Sequence, residues 1–144
     1  MNRRSVLGAA IGGASLVMAT DKVFAEEHQH EHAASAHIAL SEAARHCVSS
    51  SDACLSHCLQ LLTQGDTSLA PCAKSVYQMS AICEALARLA SANCEYLAEF
   101  TKIAHAMCLD CEKECRKHEN EHATCKACAE SCAACAKECK KHMA

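Results

Sequence analysis

The sequence predicts an all-α protein, an antiparallel up-down four-helix bundle with a cysteine-lined core. Three observations predict it. Strong helix formers (Ala, Leu, Glu, Lys) dominate from Ile38 onward, and no segment alternates as a strand would. Turn residues cut this stretch into four segments joined by short connections, which favours antiparallel neighbours. Cysteines recur on the segments at steps of 3, 4, 7 or 11 residues, so each set lies on one helical face.

The first 25 residues stand apart from this fold. Arg3-Arg4 precedes an apolar stretch from Val6 to Ala19, and Val23-Phe24-Ala25 reads as a cleavage site before Glu26. Asn2-Arg3-Arg4-Ser5-Val6-Leu7 matches the twin-arginine pattern, so residues 1–25 are an expected export signal and the mature protein is expected to be periplasmic or secreted. Broken by Gly8, Gly12 and Gly13, the apolar stretch is short for a membrane span, and no membrane association is expected after cleavage. Residues 26–36 are polar, contain His28, His30 and His32, and read as a flexible His-rich tail before the bundle domain at 37–144.

The first helix is expected from about Ile38 to Thr63, where Gln64-Gly65-Asp66-Thr67-Ser68 ends it with turn chemistry. The second starts near Leu69, carries Pro71 in its first turn, and continues to about Ala90. Ser91 to Asn93 is a polar break, and both Ser91 and Asn93 suit the N-cap of a third helix running to about His118. Glu119-Asn120-Glu121 separates it from a fourth that ends near His142.

Composition narrows the chemistry. Fourteen cysteines in 144 residues exceed ordinary usage, whereas aromatics are limited to Phe24, Phe100, Tyr77 and Tyr96, so packing must come mainly from Leu, Ile, Val, Ala and Cys. Without residues 1–25, the 14 basic and 17 acidic residues fall to 11 and 16, a formal charge of −5. No basic patch is interleaved with aromatics, which argues against nucleic acid as a partner.

The fourth helix is the most specific segment. Cys125, Cys128, Cys132, Cys135 and Cys139 form a heptad seam of thiols, and the other apolar residues among them are all alanine. Cys47, Cys54 and Cys58 line the first helix, Cys72 and Cys83 the second, and Cys108, Cys111 and Cys115 the third. Counting depth from the loops after helices one and three at about 1.5 Å per residue, Cys72, Cys115 and Cys125 come first. Cys58, Cys111 and Cys128 follow, then Cys54, Cys108 and Cys132, and finally Cys83, Cys135, Cys47 and Cys139, giving a tube lined with sulfur along its length. Cys94 sits at the start of helix three, beyond the others.

Three explanations compete for these thiols. A disulfide scaffold suits an oxidising compartment, but cysteines at i and i+3 or i+4 of a helix bridge poorly, and the twin-arginine route carries proteins folded in a reducing cytosol. One or two zinc or iron–sulfur sites could use the CxxC pairs Cys108/Cys111, Cys125/Cys128 and Cys132/Cys135, although each pair is embedded in helix instead of a metal-wrapping loop. The third explanation is a multinuclear store of a soft monovalent metal. Buried thiolates need counter-charge, and Cu(I) at one ion per thiolate, each ion between two sulfurs and each sulfur bridging two ions, fills the tube near neutrality.

The chain resembles the exported four-helix-bundle copper storage proteins of bacteria. The residues that carry this are the twin-arginine signal, His46-Cys47, Asp52-Ala53-Cys54, His57-Cys58, Pro71-Cys72, Ile82-Cys83, the run from Met107 to Cys115, and the run from Cys125 to Cys139. The resemblance implies a bundle whose inward cysteines bind many Cu(I) ions, a homo-oligomer of identical subunits, and storage of copper for copper-dependent enzymes. Cys94 is an addition to the family's set, and Leu59-Gln60-Leu61-Leu62-Thr63-Gln64 stands where family members can carry methionines at the mouth.

Histidines offer a further set of candidate ligands. His57 follows Cys54 by three, His118 follows Cys115 by three and His122 precedes Cys125 by three, which gathers them at the loop end, while His142 follows Cys139 at the other. Each also suits a solvated helix end, where it meets the backbone dipole; His46 and His105 read as surface or structural residues. If cleavage follows Ala25, the mature chain begins Glu26-Glu27-His28, and a free amine with histidine third makes a square-planar nitrogen site suited to Cu(II) or Ni(II). The whole reads as a binding protein and not an enzyme. The enzyme alternative is a thiol–disulfide redox protein, for which Cys125/Cys128 is the pair placed at a helix start.

Overall fold

The computed structural model describes residues 37–143. Four helices follow in order, α1 (Ile38–Thr63), α2 (Ala70–Ser91), α3 (Leu97–Arg116) and α4 (Ala123–Lys140), and no strand occurs among the described residues. Each helix packs on its chain neighbours and α1 packs on α4, without diagonal contact, so the helices stand at the corners of a square. This is the antiparallel up-down bundle that the short connections predict.

None of the helix starts has a side-chain cap, so packing and the helix C-termini fix the boundaries. Two ends close with the same device. At the end of α1, Gly65 adopts φ 88° while Gly65 N–H donates to Leu62 O and Asp66 N–H to Leu61 O. At the end of α2, Asn93 adopts φ 50° while Asn93 N–H donates to Ala90 O and Cys94 N–H to Leu89 O. Both are left-handed closures that satisfy the last free carbonyls of a helix. The second corrects an expectation: Asn93 terminates α2 and does not cap α3, which starts later, at Leu97. Cys94 consequently lies in the connection and not in a helix.

The core changes character along the bundle. At the end holding the start of α1, it is ordinary carbon packing of Leu40, Ala44, Leu86, Ala90, Leu97 and Ala104. Ser41 there donates to Ala87 O at 3.0 Å, so its buried hydroxyl is satisfied. From Cys47 to the opposite loops sulfur dominates, with Leu69, Ala73 and Val76 also buried. The sulfur lining is therefore shorter than the expected full-length tube, because α1 contributes no cysteine for its first nine residues, about 13 Å of helix. Buried Ala129 and Ala136 keep the inner flank of α4 small beside its thiols. Among the described residues, no helix is long and apolar enough to cross a membrane.

Candidate metal centre

Thirteen of the fourteen cysteines, all free thiols, have no solvent-accessible surface. At the loop end Cys54, Cys58, Cys72 and Cys125 bring their sulfurs within 4.8 Å of one another. Cys54 also groups with Cys115 and Cys128, and Cys128 also groups with Cys111 and Cys132. Cys47 links that middle group to a second tetrad, reaching Cys132 at 3.7 Å while grouping with Cys83, Cys108 and Cys135. Cys139 extends the column past Cys135. Cys54 and Cys128 each belong to two groups, which fuses three of the clusters, and the Cys47–Cys132 contact joins the far tetrad to them in one continuous column.

The order along the column departs from the helical count on α1 and α3: Cys54 and Cys58 both stand at the loop end with Cys72 and Cys125, where the count put Cys54 two levels deeper. Cys115 is level with Cys128, Cys111 with Cys132, and Cys108 with Cys135, so Cys108 joins the far tetrad instead of Cys54 and Cys132. The chain past Arg116 continues in turns, with His122 N–H donating to His118 O, before α4 begins at Ala123. Relative to the count along the chain, α3 and α4 are offset by one cysteine step.

Sulfur separations decide what the column can hold. Cys72–Cys115 is 3.5 Å, Cys83–Cys108 3.6 Å, Cys54–Cys125 3.7 Å and Cys111–Cys115 4.0 Å. A disulfide needs about 2.05 Å. A soft ion about 2.3 Å from each thiolate spans two sulfurs up to about 4.6 Å apart, so these separations suit shared metal ions.

Proton affinity in the column is uneven. Cys47 is held below the ordinary thiol value by contacts from Cys108, Cys132, Cys135 and Cys83, and Cys111 by contacts from Cys115, Cys128 and Cys132. Cys54 is also lowered, Cys128 and Cys72 prevailing over Cys115. The surrounding thiols are pushed up: Cys108 by Cys135 and Cys47, Cys128 by Cys111 and Cys115, Cys132 by Cys111. Burial, with the charge on Cys54, pushes Cys58 up to about 11. Cys72 reaches about 12, because Cys54 and burial outweigh the opposing contact with Cys115. Cys125, raised by burial, and Cys128 are thus enclosed and hard to ionise, opposite to the exposed, acidic pair that a redox enzyme needs.

Histidines gather at both ends. At the loop end His57 Nε2 lies 2.9 Å from His122 Nδ1, and the His118 and His122 ring centroids are 6.4 Å apart, as the spacings predict. At the other end His142 Nδ1 lies 3.3 Å from Nδ1 of His37, a partner the sequence reading did not single out although it stands just before α1. His46 is exposed and His105 half-buried. Cys94 is half-buried in its turn and joins none of the sulfur groups. His28 and the export signal lie outside the described residues. One buried sulfur also escaped the sequence reading, the thioether of Met79, which touches Cys47 and Cys83.

Comparison with known proteins agrees with this geometry. The family model described as Csp, copper storage protein, matches residues 33–144. Apo copper storage protein 3 from Bacillus subtilis is 26% identical with a TM-score of 0.65, the match covering 74% of this chain and 97% of that one. A Cu(I)-bound copper storage protein, BsCsp3, matches with 26% identity and a TM-score of 0.66, over 74% of this chain and 96% of its own. No curated protein matches significantly. With the family matched over the whole described bundle and the sulfur column in its core, the chain belongs to the copper storage protein family.

Proposed function

We propose that the protein stores Cu(I), many ions to a chain and about one per cysteine, on the thiolates of the bundle core. The observation that carries this is the joining of all the clusters, through the shared Cys54 and Cys128 and the Cys47–Cys132 contact. A structural zinc site needs four ligands of its own, whereas shared sulfurs suit a chain of bridged, low-coordinate ions. Each Cu(I) replaces one thiol proton, so a filled column stays near neutral in a site where uncompensated thiolates would be prohibitive. The role is storage and not catalysis.

Copper enters, on this reading, at the loop end, where His57, His118 and His122 stand beside Cys58 and Cys125. The twin-arginine pattern supports export to the periplasm or beyond, and a copper-dependent enzyme is the proposed recipient. Exposed Ile38 and Leu59 on α1 and Tyr77 on α2 supply apolar surface for a homo-oligomer.

Anaerobic titration of the reduced protein with Cu(I) against a chromophoric chelator, with thiols counted in parallel, tests the function. Saturation near one copper per cysteine is expected. A plateau at one or two ions would replace the store with a discrete site, and oxidised thiols that take up no copper would return the disulfide scaffold.

A further inference from the structure

Met79 has no accessible surface and sits inside the sulfur column. Its thioether accepts hydrogen bonds from the Cys47 thiol at 3.3 Å and the Cys83 thiol at 3.5 Å. The cysteines of α2, Cys72 and Cys83, are eleven residues apart, about 16 Å of helix and the longest interval in the lining. Met79 divides that interval into seven and four, the same sulfur intervals that Cys47, Cys54 and Cys58 set on α1. The neighbouring inward positions of α2, Val76 and Leu86, are aliphatic and equally buried. Sulfur thus appears on this wall where the cysteines of α2 are missing and the thiol of α1 comes close.

We propose that Met79 is a Cu(I) ligand, a neutral third donor to an ion held by the thiolates of Cys47 and Cys83. Because Cys47 and Cys83 also bridge to neighbouring ions, one S–H proton leaves to solvent for each Cu(I) that arrives, and no electron is transferred. The thioether lone pair that accepted those S–H bonds turns to the metal. A thioether is soft enough for Cu(I) and adds coordination without adding negative charge, which a buried site favours. Being neutral, it also lets go more readily than a thiolate. Met79 therefore stands at the edge of the far tetrad, four residues nearer the loop end than Cys83, on the one wall where cysteine alone leaves a gap.

This inference rests on the Cu(I) storage reading, and its test separates the two. The full chain is produced with selenomethionine in place of methionine, loaded anaerobically with Cu(I), and studied by X-ray absorption at the copper edge. A Cu–Se path beside the Cu–S paths is expected, retained in Met107→Leu and lost in Met79→Leu, which preserves apolar volume and the thiol stoichiometry. Cu–S scattering without Cu–Se in the unsubstituted protein, or a Cu–Se path that persists in Met79→Leu, would overturn the ligand and leave storage standing. Failure of copper to load on thiolates would overturn storage and the ligand together.

Discussion

His57 and His122 meet at 2.9 Å, one residue from Cys58 and three from Cys125. Imidazole is a harder ligand than thiolate for Cu(I), so the pair can receive an ion and yield it to the sulfurs behind. Replacing both with Ala is expected to slow uptake from a coloured Cu(I) chelator by about tenfold, a barrier change near 1.4 kcal/mol, with capacity unchanged. Stopped-flow transfer reads both quantities: an unaltered rate would remove the gate, and lost capacity would make the pair storage ligands. The thiols were legible at this scale because cysteines at helical spacing have few structural explanations. Met79 was not, since a methionine in a stripe with Val76 and Leu86 reads as core filler, and only the fold brings Cys47 beside it. His37 was missed for the same reason, its partner His142 being 105 residues away in sequence.

Among elements, the helix ends fix which sulfurs share a level. Gly65 at φ 88° has nothing within 4 Å of where a Cβ would sit, so the cost of a side chain there is purely conformational. Gly65→Ala is expected to destabilise the fold by about 1–2 kcal/mol, read as a shifted denaturation midpoint with an unchanged slope. A negligible shift would show that the turn relaxes. Helix α1 was legible to the residue, from its apolar periodicity and the glycine-containing turn. The start of α3 was not, because Ser91 and Asn93 look like N-caps until the left-handed φ of Asn93 assigns it to the end of α2. Likewise the grouping of Cys108 with Cys135 is a matter of how α3 packs beside α4, which a count along the chain does not contain.

For the whole molecule, the column makes stability depend on protons and copper together. Thiols of an unfolded chain ionise near 9.0, whereas folding pushes Cys58 up to about 11 and Cys72 up to about 12. Between pH 9 and 12 the unfolded chain has released protons that the folded one retains, so the stability of the metal-free protein falls as pH rises through this window. Below it both states are protonated at these sites and their contribution is constant. The copper-loaded protein provides the control, because its thiols have already exchanged protons for metal. The lowered thiols Cys47, Cys54 and Cys111 act with the opposite sign only below 9.0, so thermal unfolding compared at pH 9 and pH 11 is expected to show a marked fall in Tm for the reduced, metal-free protein and a much smaller one for the loaded form. Equal falls would assign the effect to surface groups, and a metal-free Tm that holds steady would mean that the thiols ionise as readily folded as unfolded. In the expected case, the protons held by the raised thiols are the ones copper displaces, so loading in a lightly buffered solution at neutral pH should release protons at up to one per ion, short of that by whatever Cys47, Cys54 and Cys111, held below the ordinary thiol value, have already given up.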